Sequence, residues 1–208
     1  MPTQAQFWNK IARKYAARPV GDPDAYAQTL DRVRDYLTPS DQVLELGCGT
    51  ASTAITLSPH VARYVASDYA QDMLDIGAEK IEAEGISNID LLCTTELAPD
   101  LPDAGFDAVM GFNLYHLIED LDGALAAAYR LVKPGGVFIS KSTCLGRFSP
   151  FRPIVAVMRA VGKAPYVRFM SIADLDGAVE RAGFQIVETG NYPAKPPARF
   201  IVARKPSP

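Results

Sequence analysis

Val43-Leu44-Glu45-Leu46-Gly47-Cys48-Gly49-Thr50 runs from an apolar stretch into a turn with two glycines, and Ala51 to Leu57 after it has helical character. A short strand, a glycine-rich turn and a helix make the unit from which doubly wound α/β sheets are built. Moving outward, Tyr64 to Ser67 reads as a second strand, followed by a helix from Gln71 to Glu84 with Gly85 as its stop. Ile89 to Cys93 and Ala108 to Phe112 are further strands. A helix from Leu121 to Leu131, the turn Pro134-Gly135-Gly136 and a strand from Val137 to Ser140 continue the alternation. Ser171 with Asp174 forms a capping-box pattern for a helix ending at Gly183, and Gln185 to Thr189 and Phe200 to Ala203 close as strands. The pattern predicts an α/β fold, a doubly wound and mostly parallel seven-stranded sheet with helices on both faces.

A chain of 208 residues with 48% hydrophobic and 22% charged residues suits one domain spanning 1–208. Its N-terminal helical segment, 1–37, carries Tyr26, Leu30, Val33 and Leu37 at helical spacing. A formal charge of -3 argues against nucleic acid, whose phosphates need clustered Lys and Arg. Cys48, Cys93 and Cys144 are too far apart for a metal-binding pair, and their odd count gives no disulfide framework, which predicts a reducing, cytoplasmic setting and no metal. Neither a leader pattern nor a long apolar span is read in the sequence. Residues 144–170 fall outside the alternation. Within them Phe148, Phe151, Ile154, Val155, Met158 and Val161 accompany Arg152, Arg159 and Lys163; as a helix, the cations would share one face and the apolar residues the other. The expectation is a lid over the site, with peripheral membrane contact through 148–170 as the alternative.

Ligands of doubly wound sheets sit beyond the carboxyl ends of the strands, usually at the first strand-to-helix turn. Gly47 and Gly49 let that turn bend and let a ligand approach bare main chain. Glu45 would repel a pyrophosphate but pair with the ammonium of an amino-acid-like ligand such as S-adenosylmethionine. A dinucleotide fingerprint needs glycine at 52, where Ser52 stands. Asp68, ending the second strand, can accept ribose hydroxyls in either case. His116, just after the fourth strand, is a candidate general base, with backbone hydrogen bonding as its structural alternative. Cys48 reads as a small loop residue and His60 as a solvated one.

The run Val43 to Thr50 resembles the first motif of class I S-adenosylmethionine-dependent methyltransferases, and Leu131-Val132-Lys133-Pro134-Gly135-Gly136 resembles their turn into strand five. Phe7-Trp8 with Ala12 and Tyr15 is similar to the N-terminal segment of the type 11, ubiquinone/menaquinone C-methyltransferase-like group, so the resemblance covers Phe7 to Val202. It implies the Rossmann-like methyltransferase fold, S-adenosyl-L-methionine as cofactor and a small-molecule acceptor of quinone, phenol or lipid type. By the same resemblance Gly47 and Gly49 underlie the methionine end, Asp68 meets the ribose, and Thr95 with Glu96 lies at the adenine, against which Met73 packs. Phe112 and Asn113 meet the methionine moiety. Tyr15, Glu45, Cys48, Thr50 and Tyr69 complete the implied cofactor set. His116 or Tyr115 would serve as base for an acceptor that must lose a proton. Ala51 replaces a glycine common in the group, and the loop is expected to persist. A non-catalytic binding module and a nicotinamide-dependent oxidoreductase are the alternatives, and the oligomeric state is left open.

Overall fold

In the computed structural model, which describes residues 3–207, the strands are β1 (Gln42–Leu46), β2 (Arg63–Asp68), β3 (Ile89–Cys93), β4 (Phe106–Phe112), β5 (Val132–Thr143), β6 (Gln185–Asn191) and β7 (Ala198–Arg204). All seven join one sheet in the order β3-β2-β1-β4-β5-β7-β6. β1 through β5 pair in parallel, whereas β7 runs antiparallel to both β5 and β6. Between β1 and β4 the strand order reverses direction, which opens a crevice at their carboxyl ends.

The two-residue period of a strand divides the core into two layers. Leu44, Val65, Val109, Phe138 and Ile201 point to one side, under α5 (Leu121–Leu131) and α7 (Ile172–Arg181). Their neighbours Val43, Ala66, Met110, Ile139 and Val202 point to the other, under α2 (Pro23–Arg34) and α3 (Ser52–Leu57). Such two-sided burial explains why these strands are continuous apolar runs.

Local signals set several helix ends. Thr3 and Gln6 form a capping box at the start of α1 (Gln4–Ala16), and Ser171 with Asp174 forms another at α7. Asp22 caps α2 ahead of Pro23, and Asp120 caps α5. Helix α4 (Gln71–Glu84) stops at Gly85 in the left-handed conformation, φ 66°.

Two expectations about element limits need correction. Helix α2 ends at Arg34 rather than Leu37, because the chain turns there with Tyr36 N–H donating to the Val33 carbonyl at 3.0 Å. Pro134-Gly135-Gly136 lies inside β5 as an irregularity, with the register passing from Phe106↔Val132 to Ala108↔Val137. A Cβ on Gly136 would stand 2.7 Å from the Asp107 carbonyl oxygen, so only glycine permits that approach.

The lid expectation changes more. Helix α6 (Arg152–Ala160) buries none of its residues, and Phe151, Ile154, Val157 and Met158 face solvent. Cations and apolar residues do occupy opposite faces, but the cations turn inward: Arg159 pairs with Glu119 at 2.9 Å and lies over the Tyr166 ring, and Arg152 lies over Phe169. The apolar face therefore stays outside the packing of the protein.

Candidate active site

A cavity of about 480 Å³ opens at the carboxyl ends of β1, β2 and β4, where the strand order reverses. Its floor is the loop after β1. Gly47 and Gly49 both have positive φ, 67° and 56°, and both reach the cavity wall. A Cβ on Gly47 would approach Leu114 Cδ1 to 2.7 Å. Ala51 also adopts the left-handed region, φ 57°, so the loop keeps its shape where the resembled group has a third glycine. The Cys48 N–H ties the loop to β2 through the Ser67 carbonyl at 2.8 Å.

Asp68 stands at the end of β2 with its carboxylate on the same wall. Gly49 N–H donates to its Oδ2 at 2.9 Å and Ala70 N–H to its Oδ1 at 2.8 Å. Each oxygen keeps a second lone pair for a ligand hydroxyl. Burial raises the Asp68 pKa, while the amide donors from Ala70 and Gly49 oppose that shift. Tyr69, Met73, Thr95, Glu96, Phe112, Asn113 and Tyr15 complete the part of the wall anticipated from sequence. Asn113 takes φ 54°, and its N–H donates to the Lys141 carbonyl at 2.7 Å.

Five anticipated residues are not on this wall. Glu45 shares the strand period of Val43, so its side chain points into the α2 and α3 layer rather than out of the strand end. Only 2% exposed, it accepts the Tyr64 hydroxyl at 2.9 Å, and burial lifts its pKa to about 7, with the Tyr64 bond opposing and Asp68 adding. Its expected pairing with a ligand ammonium is therefore corrected: Glu45 supports the loop from behind. Cys48 is buried, with its thiol against the Gly49 carbonyl, and burial raises its pKa well above the ordinary thiol value. Thr50 accepts Lys80 Nζ at 2.8 Å on its hydroxyl, which also makes it a support of the loop.

The two candidate bases are displaced as well. Tyr115 is fully buried edge-on to Phe138, its hydroxyl has no hydrogen-bond partner among the described residues, and burial raises its pKa. His116 lies behind the wall. Its carbonyl accepts the Arg168 N–H at 2.7 Å, its Nδ1 is buried without a partner among the described residues, and burial lowers its pKa to about 4.

Sequence reasoning missed the outer wall. Thr3, Gln4, Ala5 and Trp8 bring the start of α1 across the cavity, and Leu114, Leu117, Ile118, Glu119 and Asp120 bring the link from β4 to α5. The Thr3-x-x-Gln6 capping box could have located the first group; nothing in the local pattern marked the second. The resulting space sets Asp68 beside the glycine loop and puts the apolar side chains of Trp8, Leu114, Leu117 and Ile118, with Glu119 and Asp120, in the outer wall, which suits a nucleoside with a second, largely apolar molecule beside it.

Residues 43–136 match the family model of a methyltransferase domain. A demethylmenaquinone methyltransferase of Geobacillus kaustophilus is 31% identical over 117 residues, covering 54% of this chain and 50% of the relative. One from Bacillus cereus (strain B4264) is 32% identical over 132 residues, covering 62% and 55%. The chain thus spans about half the length of the curated relatives it matches. Among solved structures, the cyclase SpnF superposes with TM-score 0.80 at 18% identity, covering 100% of this chain and 97% of that one. At these identities the superposition establishes the fold, the Rossmann-like methyltransferase sheet.

Proposed function

With a class I methyltransferase domain over residues 43–136 as the premise, we propose that the protein transfers the methyl group of S-adenosylmethionine to a small, largely apolar acceptor of quinol or phenol type. The observation that carries this reading is one continuous cavity joining the glycine loop and Asp68 to the apolar surface of Trp8, Leu114, Leu117 and Ile118. The names of the curated relatives support the quinone side of the acceptor class.

The chain's residues fit the cofactor. Gly47 and Gly49 present bare main chain, Asp68 offers free lone pairs for ribose hydroxyls, and Met73 with Phe112 supplies flat apolar surface for a base and a methionine stem. S-adenosylmethionine, when bound, supplies a methyl group already activated on a sulfonium, so transfer is an in-line displacement governed by positioning. Trp8, Leu114, Leu117 and Ile118 exclude water and orient the acceptor against that line. The wall carries carboxylates but neither His116 nor Tyr115. Glu119 is held by Arg159, and Asp120 Oδ1 accepts the Gly123 N–H of α5 at 3.0 Å. The remaining wall carboxylates, Asp68 and Glu96, belong on this reading to the ribose and adenine end, which suits an acceptor whose hydroxyl gives its proton to solvent.

A labelled-methyl transfer screen across quinols, phenols, amines and phospholipids tests the reading. Label on a quinol or phenol is expected. Label on amines alone would replace the acceptor class. Retained S-adenosylhomocysteine binding with no transfer to any acceptor would make the chain a binding module.

A further inference from the structure

Helix α6 turns an apolar stripe away from the protein. Ile154 and Val157 are 60% and 65% exposed, Phe148 is 97% exposed, and Phe151, Met158 and Val161 continue the same surface. A contiguous apolar patch of this kind marks a contact surface.

Charge decides what covers it. Residues 144–170 contain Arg147, Arg152, Arg159, Lys163 and Arg168 and no aspartate or glutamate, within a chain of net charge -3. Beside the helix lies a second cleft of about 430 Å³, with Arg147, Arg152, Arg168 and Arg181 facing Asp122 and Asp174. Asp174 holds Arg147 and Asp122 holds Arg181, which leaves Arg152 and Arg168 without a carboxylate partner among the described residues. Both are anchored to carbonyl oxygens, Arg152 to that of Arg147 at 2.6 Å and Arg168 to that of Ile118 at 3.3 Å, so their charge is positioned but not neutralised. An outward apolar helix face beside a cleft that holds uncompensated cations matches an anionic bilayer, whose acyl boundary takes the one and whose phosphates take the other.

We propose that α6, with the residues flanking it in 144–170, docks this protein on an anionic phospholipid bilayer. Arg159 of α6 holds Glu119 of the cavity wall at 2.9 Å, and Tyr166 N–H donates to Gln4 Oε1 of the opposite wall at 3.3 Å. Docking therefore brings the cavity rim to the membrane, where an apolar acceptor partitions; this consequence rests on the methyltransferase reading, while the docking does not.

Vesicle flotation tests the proposal directly. The protein should float with vesicles containing phosphatidylglycerol and hardly at all with phosphatidylcholine alone, and should be released as salt rises to about 0.5 M. Ile154→Ser with Val157→Ser should lower partition about tenfold or more. Neither side chain is buried, so the double variant should keep its thermal stability and its S-adenosylhomocysteine affinity, which separates failure of docking from failure of the cofactor site. Folded wild-type protein that ignores anionic vesicles would overturn the proposal, as would equal flotation of the double variant. A dimer in sedimentation that this variant dissolves, without flotation, would give the face to a second copy instead.

Discussion

At the residue scale Asp68 has two tasks, since the carboxylate that faces the cavity also fixes the amides of Gly49 and Ala70. Asp68→Ala should weaken S-adenosylhomocysteine binding by about 2 kcal/mol or more, as ribose hydroxyls lose a charged acceptor and the loop loses two ties. Calorimetry on the folded variant checks it, and unchanged affinity would remove Asp68 from the site. Glu45 shows how position in a strand overrides chemical type. Its carboxylate was legible as a feature of the turn, but its direction follows from the pleat, which sends it behind the loop. Because its pKa rises from 4.5 to about 7 on folding, the native state binds the proton more tightly; that stability is fully present below about 4.5 and is lost as pH rises through 7. His116, lowered from 6.5 to about 4, acts in the opposite sense: buried neutral, it adds stability that is lost as pH falls from 6.5 through 4. The two slopes oppose each other between about 4.5 and 6.5. Glu45→Gln should therefore make the melting temperature climb more steeply with pH in that window than in the wild type. A parallel profile would place the Glu45 pKa near its unfolded value.

At the scale of elements, α1 matters more than its place before the sheet suggests. Thr3, Gln4, Ala5, Trp8 and Tyr15 all reach the cavity, and Asn9 Oδ1 accepts the Asp72 N–H in the first turn of α4. Trp8 is braced edge-on by Phe7 and Tyr15, with ring centroids at 5.4 and 5.9 Å. Trp8→Ala should cost about 2 kcal/mol of S-adenosylhomocysteine affinity through lost apolar contact, measured by calorimetry. Binding should also slow hydrogen exchange across α1, and exchange indifferent to ligand would mean the helix is a fixed wall. The strands β1, β2 and β4 were legible because two-sided burial writes an apolar run between turn residues, and α4 was legible through Gly85. The orientation of α6 was not. Amphipathic spacing shows that Arg152 and Arg159 share a face opposite Ile154 and Val157, but which face turns inward depends on Glu119, Tyr166 and Phe169, all outside the helix. The outer wall from Leu114 to Asp120 was hidden for a related reason, since a loop's contacts depend on what the sheet brings beside it.

At the scale of the whole molecule, the order β3-β2-β1-β4-β5 places the cavity at the reversal between β1 and β4, while β7 enters antiparallel between β5 and β6, away from it. The antiparallel pairing has a simple cause: only Tyr192 to Pro197 joins β6 to β7, too few residues for a parallel crossover. That hairpin separates this sheet from the all-parallel dinucleotide order, in which the sixth strand lies directly beside the fifth. Together with Ser52 in place of the third fingerprint glycine, it argues that the crevice receives a nucleoside carrying an amino-acid chain rather than a nicotinamide dinucleotide. Linkage gives the difference a size. A ligand present at about one hundred times its dissociation constant stabilises the native state by about 2.7 kcal/mol, which raises the melting temperature of a chain this long by about 5–10 °C. S-adenosylhomocysteine should produce that shift, and NAD at equal concentration should leave the melting curve in place. The Gly49→Val variant, whose side chain would intrude on the cavity from a backbone at φ 56°, should melt cooperatively without ligand and fail to respond to S-adenosylhomocysteine. A shift with NAD alone would return the crevice to dinucleotide chemistry, and an undiminished S-adenosylhomocysteine shift in the variant would move the ligand off the glycine loop.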